Sequence, residues 1–65
     1  MNKTAADYRI EQIQKATVNG QAVKVFDAFE RDGDAFVFVG KFRAPVKTAN
    51  KNLWLIAEER GSIRA

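Results

Sequence analysis

Sixty-five residues make one small domain and leave no room for a second, since a chain of this size hides only about 60% of its unfolded surface. The absence of Cys and His excludes disulfide staples, thiol and imidazole catalysis and the usual zinc sites. A hydrophobic share of 46% with 29% charged residues is ordinary for a globular chain, and eleven Lys and Arg against eight Asp and Glu give a net charge of +3 that favours anionic partners.

In chain order, residues 1–6 hold no signal-peptide core and are expected to be flexible. Asn19-Gly20 is a strong hairpin signal, because both central residues of a type I′ turn need positive φ, and Asp32-Gly33 repeats it one strand later. The flanking segments Tyr8–Val18, Gln21–Glu30 and Ala35–Arg43 are rich in Val, Ile, Phe, Tyr and Thr, and Pro45 closes the last. They predict a three-stranded antiparallel β-meander over residues 8–43. Ala6, Ile10 and Ile13 also keep a helical spacing behind a Thr4 cap, the competing reading of the first segment. Gly40, inside the third strand, predicts a bulge or a close approach by the helix. The longest apolar stretch, Ala35–Val39, falls far short of the about 20 residues that span a bilayer, so a soluble, complete, cytoplasmic protein with no membrane partner is expected.

After Pro45 the period changes. Val46, Ala49, Leu53, Ile56 and Ala57 recur at three- and four-residue steps, the buried stripe of a helix over residues 48–60 with Thr48 capping its first turn. Gly61 followed by Ile63 fits a Schellman-type stop. The alternative is a fourth strand, Leu53–Glu58, entered through a turn at Asn50–Asn52, which would make a small all-β barrel. The preferred fold class is α+β: one domain, residues 1–65, with the C-terminal helix packed on one face of the meander.

Register then assigns the faces. A turn at 19 and 20 sets Val18 opposite Gln21, and a turn at 32 and 33 sets Arg31 opposite Asp34. One face carries Tyr8, Ile10, Val23, Val25, Phe29, Phe36, Phe38 and Phe42 and is expected to receive the helix. The other carries Ile13, Ala22, Phe26, Ala28, Val37 and Val39 among Glu11, Lys15, Lys24 and Lys41, an apolar patch that a lone domain leaves wet. Ile13, Phe26, Ala28, Val37 and Val39 are thus the expected interface of a homodimer or with a protein partner, with Phe26 and Val39 at its centre. The alternative is a bulge near Gln12 or Val25 that rotates Ile13 or Phe26 into the core and dissolves the patch.

Little in the sequence supports catalysis. Thr4, Tyr8, Thr17, Thr48 and Ser62 sit in no nucleophile elbow, and Asp27, Glu30, Asp32 and Asp34 surround a turn where Asp is favoured for backbone reasons. Asp32-Gly33-Asp34 is too short for a calcium loop, and the glycines at 20, 33, 40 and 61 form no phosphate loop. A non-enzymatic binding module is expected, with no metal, cofactor or small-molecule substrate. Lys41, Arg43, Lys47 and Lys51 run without an intervening acid, whereas 27–34 holds four acids around Arg31. Lys47 and Lys51 flank the positive end of the expected helix, and Glu58 and Glu59 its negative end. Both placements oppose the helix dipole, and the first suits a bound anion. These four cations are the expected nucleic-acid contact, in a phosphate-backbone mode. The phenylalanines are read as core, since no stretch carries the basic-glycine-aromatic motif of RNA-recognition sheets, and Trp54 as a residue at the helix rim.

A three-stranded sheet backed by a C-terminal helix is similar to the DNA-binding domains of a class of plant transcription factors and to integrase N-terminal domains, which set such a sheet in the major groove. The resemblance implies DNA contact by the sheet. It stops at element order, because Phe26, Val37 and Val39 stand where a groove reader carries Arg, Trp and polar side chains. The small size also suits a phage or mobile-element protein.

Overall fold

The computed structural model describes residues 3–64, with side chains through Arg60. Three strands, β1 (Tyr8–Val18), β2 (Gln21–Asp32) and β3 (Ala35–Pro45), form an open antiparallel sheet in the order β1-β2-β3, and one helix, α1 (Leu53–Arg64), follows. This is the α+β arrangement that the hairpin signals and the helical stripe predict, and it rules out the fourth strand and the closed barrel. The helical spacing at Ala6–Ile13 yields only a 3-10 turn, Ala5–Asp7, ahead of β1. β2 and β3 run on to Asp32 and Pro45, past their expected ends at Glu30 and Arg43.

Asn19 (φ 51°) and Gly20 (φ 81°) make the type I′ turn that Asn-Gly predicts. The second turn lies one residue later than expected. Asp32 pairs with Ala35, so Gly33 (φ 67°) and Asp34 are its central residues, the Gly-first order of a type II′ turn.

Each outer strand carries a bulge, and the two bulges decide which side chains are buried. In β1, Gln14 faces Val25, but beyond Gln12 (φ 56°) Glu11 faces Asp27. In β3, Phe38 faces Phe29, but beyond Val39 it is Gly40 that faces Ala28. Gly40 takes φ 149°, a conformation all but closed to other residues. A one-residue shift moves every later side chain of a strand to the opposite face of its neighbour. Tyr8, Ile10 and Phe42 therefore share a face with Phe26 and Ala28, not with Val23, Val25, Phe29, Phe36 and Phe38.

The helix lies on the Phe26 face. Tyr8, Phe26, Ala28, Phe42, Ala44, Leu53 and Ala57 form the core, with Phe26 and Leu53 wholly shielded. The Phe26 and Phe42 rings sit 6.1 Å apart, and Tyr8 meets Trp54 at 5.9 Å on the rim, where burial pushes the Tyr8 hydroxyl above its ordinary pKa. The expected faces are thus exchanged. Phe26 and Ala28 lie under the helix and are unavailable to a second copy; Val39 packs against the core, and only Ile13 and Val37 of the expected interface are exposed. Val37 stays uncovered because twelve helical residues span about 18 Å, under half of the 39 Å length of the domain.

The helix itself starts later than expected. Thr48 does not cap it; a 3-10 turn, Asn50–Asn52, leads into Leu53. The helix continues through Gly61 to Arg64, so Gly61 is no Schellman stop, and Glu58 and Glu59 lie within the helix, not at its negative end. Near the N-terminus, the Thr4 N–H donates to the Asp7 carboxylate at 3.0 Å, the Asp7 N–H to the Thr4 carbonyl at 2.9 Å, and Lys3 pairs with Glu30 at 2.8 Å. Lys3–Ala6 thus have defined partners, and Met1 and Asn2 of the segment expected to be flexible lie outside the described residues.

Two outcomes follow from this packing. Leu53→Ala should cost about 2–5 kcal/mol and Phe26→Ala about 3–5 kcal/mol, read as a lower urea midpoint at unchanged slope. The bond from the Thr4 N–H holds the Asp7 carboxyl below its ordinary value of 3.8, so the stabilisation of this turn is complete above that value and lost as pH falls through the depressed one. An NMR titration of the Thr4 amide should show a midpoint below that of an isolated aspartate.

Candidate nucleic-acid interface

Opposite the helix, the open sheet face presents Ala16, Val18, Val23 and Val25 towards one end and Phe29, Phe36 and Phe38 towards the other, a grouping set by the strand register. Phe36 and Phe38 are 37% and 54% exposed. Phe38 meets Phe29 nearly edge-to-face at 5.4 Å, and the Arg31 guanidinium lies 5.1 Å from the Phe36 ring centre. Arg31 is held there by Asp7 at 3.5 Å and by the Ala6 carbonyl at 3.1 Å.

The β3 bulge brings cations to the same face. Lys41 stands opposite Asp27, and Arg43 opposite Val25, so both project beside Phe36 and Phe38 along one strand. Lys41 Nζ is 2.8 Å from Asp27 Oδ1, an oxygen shielded from water, and this pairing spends part of its charge. Among the described residues Arg43 has no such neighbour: it lines two adjoining shallow clefts, and none of the described residues that border them carries a carboxylate. The larger, about 440 Å³, is bordered by Gln21, Val23, Arg43, Pro45, Lys47 and Arg60. The smaller, about 310 Å³, is bordered by Val18, Val25, Lys41, Phe42, Arg43 and Arg60. None of the ion pairs formed among the described residues involves Arg43, Lys47 or Arg60.

Of the four expected contacts, Lys41, Arg43 and Lys47 come together here and Lys51 does not, standing exposed on the 3-10 turn. The helix start is no open anion site, because the Asn52 N–H donates to the Ala49 carbonyl at 2.9 Å and the Leu53 N–H to Asn50. Arg60 takes the place of Lys51. Its signal is in the helical stripe, since Leu53, Ala57 and Arg60 follow one another at steps of four and three. The loop that carries Lys47 is tethered by Lys24, whose Nζ donates to the Thr48 carbonyl at 2.6 Å and to Asn50 Oδ1 at 2.7 Å.

The acids gather at the other end, where Glu30 and Asp32 close β2 and Asp34 sits in the turn. Among the described residues no group of three or more His, Cys, Asp or Glu could hold a metal ion, and no helix is long and apolar enough to cross a membrane. No protein-family model, curated protein or solved structure matches this chain.

The tether makes a prediction. Lys24→Met should cost about 1–3 kcal/mol and raise amide hydrogen exchange over 46–52, leaving the β2–β3 pairing beyond Phe26 protected.

Proposed function

We propose that this protein is a small non-enzymatic module that binds nucleic acid by its phosphate backbone, at the sheet end where Arg43, Lys47 and Arg60 converge. The observation that carries the reading is that convergence. The three cations come from β3, the following loop and α1, and border one cleft with no carboxylate among the described residues that line it. Like charges brought together on a fold this small repel one another, and a bound polyanion reverses the sign of that cost. Lys41 flanks the cleft as a weaker ligand, its charge shared with Asp27.

Self-association through the open face is the competing reading. It would bury Arg9, Glu11, Asp27, Lys41 and Arg43 together with the valines and phenylalanines, and the desolvation of those charges weighs against it. A nucleic-acid ligand leaves them partnered with phosphate. A cytoplasmic location, where such ligands are abundant, suits a chain without Cys.

With about three phosphate contacts, affinity should be modest and the slope of log K against log salt close to −3 on duplex DNA. Fluorescence anisotropy between about 50 and 200 mM salt should show that dependence. Arg43→Glu with Lys47→Glu should abolish binding to every sequence alike, whereas Lys51→Glu should change it little. Absence of binding at low salt, with folded protein in excess, overturns the reading.

A further inference from the structure

The exposed phenylalanines and the cations do not form two sites. Phe36, Phe38, Lys41 and Arg43 lie on one face of one strand, because the bulge at Val39 and Gly40 keeps Lys41 and Arg43 in phase with the two rings. At a strand rise of about 3.3 Å per residue the row is roughly 20 Å long, enough for a few nucleotides. Resting on the reading above, we infer that the ligand is single-stranded nucleic acid, its bases stacking on Phe38 and Phe36 while Arg43, Lys47 and Arg60 hold the backbone.

The chemistry selects against a duplex. Paired bases keep their faces inside the helix and offer a protein only edges and phosphates, so ring faces on a sheet gain nothing from them without unwinding. An unpaired base presents its face, and an exposed aromatic side chain is its usual platform. Phe38, the most exposed of the large apolar side chains described, is braced against Phe29 and so loses little freedom on stacking. The Arg31 guanidinium beside Phe36 extends the platform with a cation. The carboxylates on this face, Glu11 and Asp27, are each paired, with Arg9 and Lys41, which softens their repulsion of phosphate.

The test uses the full chain with a labelled oligothymidine of about 15 nucleotides and a duplex of equal length. The strand should bind more tightly than the duplex. Phe38→Ala should weaken strand binding roughly 5- to 150-fold, the range for loss of a stacking aromatic, leave duplex binding unchanged, and be rescued by Phe38→Tyr. Val37→Ala, a change at an exposed apolar residue on the opposite face, should do nothing, and circular dichroism should show every variant folded. Binding that needs Arg43 and Lys47 but is indifferent to Phe38 overturns the single-strand inference and leaves the backbone reading standing. No binding of either nucleic acid overturns both. A wild-type dimer in sedimentation that Phe38→Ala dissolves, without any effect on oligonucleotides, assigns the face to a second copy and overturns the inference.

Discussion

Phe26 is fixed between two interruptions of the sheet, and the rest of the molecule is arranged around it. On the β1 side the register breaks opposite its position, between Glu11 and Gln14; on the β3 side it breaks just beyond, between Ala28 and Phe29. Together these breaks turn Tyr8, Ile10 and Phe42 onto the side of Phe26, and only then does one face hold enough apolar volume to seat Leu53 and Ala57. A regular sheet from the same sequence would divide the large side chains differently and leave Phe26 facing water. The backbone cost of Gln12 at φ 56°, about 1–3 kcal/mol, is of the same order as the burial of one aromatic ring, about 1.5–3 kcal/mol. It takes the joint placement of Tyr8, Ile10 and Phe26 on one face to outweigh it.

The choice of face by the helix leaves the other face to be managed without a cover. A single helix can shield one side, and then only part of its length, so Val23, Val25, Phe29, Phe36 and Phe38 remain on the far side. Phe38 turns its ring against Phe29, Phe36 takes the Arg31 guanidinium, and Glu11, Asp27 and Lys41 stand in one row between these rings and the valines, with Arg43 opposite Val25. Such a surface hides part of its apolar area within itself and keeps charges close enough to discourage face-to-face aggregation. The same arrangement, exposed rings edged by cations, is what a flexible polyanion with apolar bases requires.

Much of this fold is legible in the sequence. Asn19-Gly20 fixes the first hairpin, the β-rich segments between turn residues mark all three strands, and the stripe from Leu53 to Ala57 marks the helix. What is hidden is a matter of single residues. Gly40 signals a bulge, but carrying its one-residue shift through to Phe42 is what turns the face prediction over. A bulge near Gln12 stands only as an alternative, because Gln12 carries no chemical mark of a left-handed conformation. The tripeptide Asp32-Gly33-Asp34 admits both an Asp-Gly and a Gly-Asp turn, and the change between them leaves the faces as they were. Of the candidate site, Lys41, Arg43 and Lys47 are visible as a run of charge. Arg60 is visible only once the helical stripe is continued past Ala57, and the exclusion of Lys51 follows from the 3-10 turn that carries it away.

The length of the domain gives its modest net charge more weight than the total implies. At about 10 Å, the screening length in 0.1 M salt is a fraction of the 39 Å between the ends, so a ligand at the Arg43 end feels little of Glu30, Asp32 and Asp34. Those acids instead act locally, at the end of the sheet where the row of rings stops. On the proposed reading, a strand laid from the cationic cleft along β3 would meet attraction first, then stack bases on Phe38 and Phe36, and finally meet repulsion near Asp34. The same charge separation that would raise affinity for a polyanion at one end would set the length of the proposed site and the end at which it closes.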